Sequence, residues 1–312
     1  MINITLLGTG GTVPLPNRWL TSLLVRWEGH ELLIDCGEGT QIAMKERNLP
    51  CKHIDTILLT HFHADHTAGL PGLLLSMAKA DRTEPITIIG PKGLEDLIKG
   101  VYLMARYIPF EVKYIELQEK EETFYSASLC IRSFGLKHSV PCVGYCMELE
   151  RKRRFDKEKA LANNVPMKFW GKLQKGMVLE EDGMQYNPDM VLGEARKGLK
   201  IVYATDTRPT LSLEQYAQDA DLLITEGMYC DPEKGEKAKL NRHMTMQEAA
   251  HLADIANVKE MWLTHYSPSV VDPKQYEEEL HEIFLNTVIS HDGQNVELSF
   301  SDEGAIDASD SH

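Results

Sequence analysis

Residues 57–72 read ILLTHFHADHTAGLPG, and four side chains able to bind a metal, His61, His63, Asp65 and His66, fall within six positions directly after an apolar run. Strand residues alternate between faces, but the loop leaving a strand can aim successive side chains at one point. His61 and His63, two apart, can share one ion, and Asp65 and His66 can hold a second beside it. Imidazole and carboxylate suit zinc, and manganese and iron accept the same ligand types. A lone loop histidine is usually a surface residue with no ligand role. His-x-His-x-Asp-His at the end of a strand points instead to metal binding.

A dinuclear site needs more ligands than this stretch contains. Three further candidates stand where apolar runs end: His138 after CIRSFGL, Asp206 after IVYAT, and His265 after EMWLT. In α/β sheets the ends of strands collect functional groups. Taken singly, each is as well read as a turn residue; three in equivalent settings support a common site. His30, His53, His251, His281, His291 and His312 lack that setting.

These residues require elements to position them. HIDTILLT, EPITIIG, FEVKYIEL, SLCIRSFGLKH, LKIVYATDT, ADLLITEG and VKEMWLTHYS read as strands. TQIAMKERN, AGLPGLLLSMAKA with Pro71 in its first turn, PKGLEDLIKGVYLMARY, LEQYAQDA and TMQEAAHLADIAN read as helices. Thr245 and Glu248 form a capping box that fixes the start of the last of these. Strands and helices therefore alternate, which predicts a layered α/β architecture. TILLTHFH and EMWLTHYS both end an apolar strand in Leu-Thr-His, an echo that suggests two similar halves delivering histidines to one edge.

The chain of 312 residues carries a formal net charge of −14. That charge argues against a general nucleic-acid binder, because the global field repels a polyanion. One stretch runs against it. Between Glu150 and Lys175 nine basic residues (Arg151, Lys152, Arg153, Arg154, Lys157, Lys159, Lys168, Lys172, Lys175) face three acids, a local charge of +6. Residues 150–195 also interrupt the strand–helix alternation, so they are expected to form an insertion projecting from a core domain of residues 1–300. Residues 301–312, SDEGAIDASDSH, are expected to be an acidic, flexible tail. MINITLLGTG reads as a first strand and not a signal peptide. No apolar run reaches the 18 or so residues a membrane span needs. The six cysteines show no metal spacing and are expected to be reduced thiols of a cytoplasmic protein.

The stretch THFHADH, with its strand-end histidines and aspartate, resembles the metallo-β-lactamase superfamily, an αβ/βα four-layer sandwich of two sheets flanked by helices. Within it, LLGTGGTVPLPNR, LLIDCGEGTQ, HADHTAGLPGLL, GLKHSVPCVGY, RKGLKIVYATDTRPT, HMTMQEAA and LTHYSP resemble the ribonuclease Z family of endonucleases that remove 3′ trailers from precursor tRNA. The resemblance implies two zinc ions per subunit. His61, His63, His138 and Asp206 would hold the first, and Asp65, His66, Asp206 and His265 the second, with Asp206 bridging. Asp35 would orient a ligand. Asp65 would accept a proton from the attacking water, and His243, oriented by Glu226, would serve as general acid. The basic insertion would grip tRNA and, in a homodimer, serve the partner's active site. The chain departs from the family pattern at VPLPNR, at VPMKFWGKLQKG, at Thr225 and at Ser269–Val270, none of them a ligand position. The alternatives are a hydrolase of the same fold acting on a small phosphodiester or other ester, and a non-catalytic binding protein. The complete ligand set disfavours the latter, and the basic insertion disfavours the former.

Overall fold

The computed structural model describes residues 1–300; the expected acidic tail, 301–312, lies outside the described residues. In chain order the strands are β1 (Ile2–Gly8), β2 (Ser22–Trp27), β3 (His30–Ile34), β4 (Ile54–Leu58), β5 (Ile86–Gly90), β6 (Val112–Glu116), β7 (Thr123–Ser126), β8 (Leu129–Gly135), β9 (Val143–Arg151), β10 (Leu179–Glu181), β11 (Met184–Tyr186), β12 (Arg196–Ala204), β13 (Leu222–Glu226), β14 (Met261–Thr264), β15 (Thr287–Ile289) and β16 (Asn295–Leu298). The helices are α1 (Thr40–Glu46), α2 (Ala64–Thr67), α3 (Leu70–Lys79), α4 (Leu94–Met104), α5 (Lys157–Ala162), α6 (Met167–Gln174), α7 (Leu211–Ala217), α8 (Gly235–Asn241), α9 (Met246–Ile255) and α10 (Glu277–Ile283).

Among the described residues, two compact units are distinct: Met1–Glu148 together with the chain from Leu199 onward, and Leu149–Gly198. The larger unit is built on two seven-stranded sheets, ordered β16-β1-β2-β3-β4-β5-β6 and β15-β14-β13-β12-β9-β8-β7. In the first, β3 to β6 run parallel with α1, α3 and α4 as crossovers; in the second, β12 to β15 run parallel with α7, α9 and α10 between them. Parallel strands covered on both faces need apolar side chains on both. Accordingly Leu32, Leu33 and Ile34 of β3 and all five residues of β13 are buried.

Each sheet has its own helix-side core. Leu33, Ile57 and Ile88 pack with Met44, Leu73 and Ile98 from α1, α3 and α4. Val202, Leu223 and Leu263 pack with Leu213, Ala249 and Leu280 from α7, α9 and α10. The opposite faces of the sheets meet across the middle, where the Tyr145 hydroxyl on β9 donates to the carbonyl of Leu59 at 2.7 Å. This is the expected four-layer αβ/βα sandwich. Both parallel sets end on one side of it, so the loops after β3, β4, β12 and β14 share an edge.

The smaller unit contains α5, α6 and the β10–β11 hairpin around its own core of Ala160, Val165, Leu173, Tyr186, Val191 and Leu192. Asp156 caps α5 by accepting from the Lys159 amide. Arg153 closes the base: its guanidinium donates to the carbonyls of Gly193 (2.6 Å) and Leu192 (3.1 Å) and to Asp189 (2.5 Å). Among the described residues no helix is long and apolar enough to cross a membrane. The six cysteines are free thiols.

Candidate metal centre

The loop after β4 does what its spacing suggests. Thr60 and His61 continue the strand into the edge, His63 precedes α2, and that short helix turns Asp65 and His66 inward. Asp206 leaves β12 and His265 leaves β14, and both, like Asp35 after β3, hold left-handed backbone angles (φ 56°, 55° and 59°). That region is disfavoured for residues carrying a Cβ, and its recurrence at strand ends marks a place where the fold forces side chains to a required direction. His138 follows β8 and faces the same point.

Two groups of ligand-type atoms result, with a third overlapping them. His61, His63, His138 and Asp206 offer one set and Asp65, His66 and His265 another, each within 4.8 Å of one another, and Asp206 and His265 also come together with His243. His63 Nδ1 lies 3.0 Å from His61 Nε2 and 3.3 Å from His138 Nε2, and Asp206 Oδ2 lies 3.8 Å from both Nε2 atoms. On the other side Asp206 Oδ1 is 3.3 Å from His66 Nε2, and Oδ2 is 3.2 Å from His265 Nε2. Asp65 Oδ2 stands 3.7 Å from His66 Nε2 and 3.9 Å from His265 Nε2. Asp206 therefore reaches both groups. Ligands at ~2.05 Å from a tetrahedral zinc are about 3.3 Å apart, so these spacings fit a cation between them.

A second observation supports the fit. His66 Nε2, His265 Nε2 and Asp206 Oδ1 are buried and make no well-formed hydrogen bond, an arrangement that a polypeptide alone leaves costly. Their outer nitrogens, by contrast, are engaged. His66 Nδ1 meets Asp35 at 2.8 Å, His265 Nδ1 meets Thr21 Oγ1 at 2.7 Å, and His61 Nδ1 meets Thr60 Oγ1 at 3.1 Å. Such outer partners fix ring orientation and leave Nε2 to face a metal. Asp35, wholly buried, also accepts from the Thr60 amide at 2.8 Å, tying two ligand-bearing segments together.

Charges shift as the crowding requires. Burial, reinforced by the neighbouring His66, pushes His61 well below the usual imidazole range, and burial takes His138 down to about 4. For His66 burial opposes the charge, but Asp206 and Asp35 outweigh it and raise the ring. Burial likewise opposes ionisation of Asp206, and His265, His66 and His61 overcome it to hold the carboxyl well below its ordinary value. An anionic Asp206 beside the neutral His61 and His138 suits a divalent cation, and the charge drawn onto His66 by Asp206 and Asp35 marks where positive charge is wanted.

His243 sits at the rim. Its Nδ1 is 3.0 Å from Glu226 Oε2, its ring centroid 5.1 Å from that of His138 and 5.9 Å from that of His265. Burial works against its protonation, but the Glu226 carboxylate wins and lifts the ring to about 9. Glu226, at the end of β13, also accepts from the amides of Thr207 (2.5 Å) and Met244 (3.2 Å). A pocket of about 630 Å³ opens over this group, lined among others by Thr12, Asp65, His138, Asp206, Arg242, His243 and His265.

Some contributors had no signal in residue spacing. The Thr12 amide donates to Asp65 Oδ2 at 2.6 Å from a loop far away in sequence. Arg208 donates to the His243 carbonyl at 2.6 Å and to Glu248, steadying the segment that carries His243. Asp292 closes the 9–19 loop by accepting from the Thr9 amide (2.9 Å) and the Trp19 amide (2.5 Å).

Fold and site together define a metallo-β-lactamase-fold hydrolase. A protein of that fold, YhfI of Bacillus subtilis, superposes with a TM-score of 0.69 at 19% identity over 95% of this chain and 98% of its own, a likeness of fold alone. The crystal structure of human tRNase Z, short form, superposes with a TM-score of 0.68 at 25% identity, covering 95% of this chain and 99% of that one. The ribonuclease Z of Agathobacter rectalis is 50% identical over 303 residues, 97% of this chain and 100% of that protein. That of Lachnoclostridium phytofermentans is 49% identical over 300 residues, 96% and 99% of the respective chains. A family model described as anti-Pycsar protein Apyc1 matches residues 2–107. The chain belongs to the ribonuclease Z family.

Proposed function

We propose that this chain is a metal-dependent endoribonuclease that removes the 3′ trailer from precursor tRNA. The carrying observation is the near-complete alignment with named ribonucleases Z combined with an unbroken set of ligand-type side chains at the shared edge. Two zinc ions per subunit fit the donor set: His61, His63, His138 and Asp206 for one, Asp65, His66, Asp206 and His265 for the other. Bound there, the pair would supply Lewis acidity, lowering the pKa of water and stabilising charge on phosphoryl oxygens.

The chain's own residues do the rest. Asp65, its Oδ2 fixed by the Thr12 amide, accepts the proton of the attacking water. As the bond between phosphorus and the 3′ oxygen of the discriminator nucleotide breaks, His243 Nε2 gives its proton to that oxygen. The products are a tRNA 3′-hydroxyl and a trailer 5′-phosphate. Glu226 holds the imidazolium in place and keeps it protonated at neutral pH. Asp35 orients His66 in the same manner.

The basic residues of segment 150–195 would engage tRNA phosphates, making binding salt-dependent. In a homodimer, each segment would serve the partner's site, and the enzyme would work in the cytoplasm. Assaying the purified protein on a precursor tRNA and on a bis-substituted phenyl phosphodiester tests the reading. Cleavage after the discriminator is expected; turnover of the ester with intact RNA would refute it. Deleting residues 150–195 should abolish RNA cleavage and spare most ester hydrolysis, while equal loss of both would rule out a separate binding role.

A further inference from the structure

Arg242 is the charged residue at the pocket that the reaction above leaves without a role. It follows α8 as a left-handed cap, φ 59°, a conformation normally left to glycine or asparagine. Its backbone carbonyl lies 3.4 Å from His138 Nδ1, and its Nη1 donates to the His138 carbonyl at 2.5 Å. The guanidinium is thus anchored at one corner. Among the described residues, Nε and Nη2 show no protein partner. Arg242 is exposed, and of the pocket-lining residues it alone carries a permanent positive charge.

We propose that Arg242 binds the two non-bridging oxygens of the RNA phosphate being cleaved or of the one next to it. This inference rests on the endoribonuclease reading. A guanidinium presents a rigid planar fork, and fixing one amino group sets the plane while leaving the Nε–Nη2 edge to meet two oxygens. The anchor is the peptide of His138, whose ring faces the candidate metal site, and the next residue in sequence is His243. The phosphate would therefore be held between the ligand cage and the proton donor. A residue kept only as a helix cap would be better served by glycine here, since the left-handed angle costs any side chain.

That cost supplies the test. Arg242→Gly removes the guanidinium while relieving the backbone, so structure and binding move in opposite directions. In the holoenzyme, Arg242→Gly should melt no lower than the wild type and carry the same metal per subunit. Its kcat/KM on precursor tRNA should fall about tenfold or more, the loss expected for a charge-assisted contact. The plot of log kcat/KM against log salt should become shallower by about 0.7–0.9, the loss of one phosphate contact. Arg242→Lys should restore the slope but only part of the rate. An unchanged slope with unchanged kcat/KM overturns the proposal. So does a rate loss that tracks lost metal at unchanged slope, which would make Arg242 a brace for His138 alone. Failure of the wild type to cleave precursor tRNA in the same assay would instead overturn the reading underneath.

Discussion

Gly11 offers a sharp test of the candidate centre because it has no side chain where His265 has its inward nitrogen. A Cβ built on Gly11 would lie 2.7 Å from His265 Nε2, 2.8 Å from Cε1 and 2.9 Å from Cδ2. Ordinary contact begins near 3.4 Å, so Gly11→Ala must push the ring by about 0.7 Å. The ring cannot swing away cheaply: it is fully buried and its Nδ1 is held by Thr21. Metal–ligand distances tolerate only about 0.2 Å. The displacement therefore exceeds what a bound ion accepts, and affinity at the second position should fall 10- to 100-fold, with activity falling by a similar factor. The backbone of Gly11 is outside the left-handed region, so alanine is conformationally allowed and the fold should lose only ~1–3 kcal/mol from crowding. Zinc titration against a chromophoric chelator reads the affinity, and thermal unfolding in EDTA reads the metal-free fold. If G11A takes up two ions as tightly as the wild type, His265 is not a ligand.

Glu226→Gln should move the alkaline limb of the kcat/KM profile to lower pH by about one to three units. A general acid works below its pKa, burial already disfavours the charge on His243, and the carboxylate is what raises the ring to about 9; an unmoved limb would remove Glu226 from this role. The basic residues of the smaller unit should divide into two kinds. Lys172→Ala and Lys175→Ala, both exposed, should weaken RNA binding and flatten its salt dependence without changing the melting curve, whereas Arg153→Ala should unfold Leu149–Gly198 locally, read as lost hydrogen-exchange protection. Zinc at 100 times its dissociation constant should stabilise the fold by about 2.7 kcal/mol over the EDTA-treated protein, read as a rise of several degrees in melting temperature.

The site was legible in sequence wherever side-chain chemistry coincides with a strand end. His61, His63, Asp65 and His66 share one loop, and His138, Asp206 and His265 each close an apolar run, so the edge of a layered α/β fold could be inferred to gather them. The capping box at Thr245 and Glu248 is present as expected. Contributors that act through the backbone were not legible. Thr12 gives only its amide, and Arg208 and Arg242 act on carbonyls, which any residue type supplies. Several elements also escaped. β9 contains Gly144 and Cys146 and ends in charged residues, so it lacks a clean strand signature, and α8 opens on a glycine and has only Ala238 and Leu240 as apolar side chains. The C-terminal β16 belongs to the first sheet through pairing with β1, a contact across nearly the whole chain that local pattern cannot convey.

The left-handed residues Asp35, Asp206 and His265 imply that this enzyme has not been tuned for endurance at its working edge. Each such angle costs a residue with a Cβ roughly 1 kcal/mol or more. Asp206→Gly and His265→Gly would relieve that angle but also empty a buried position, so each apoprotein should melt less far below the parent than its lost packing alone predicts. A thermostability screen blind to turnover would register that strain and nothing of what these side chains are proposed to hold.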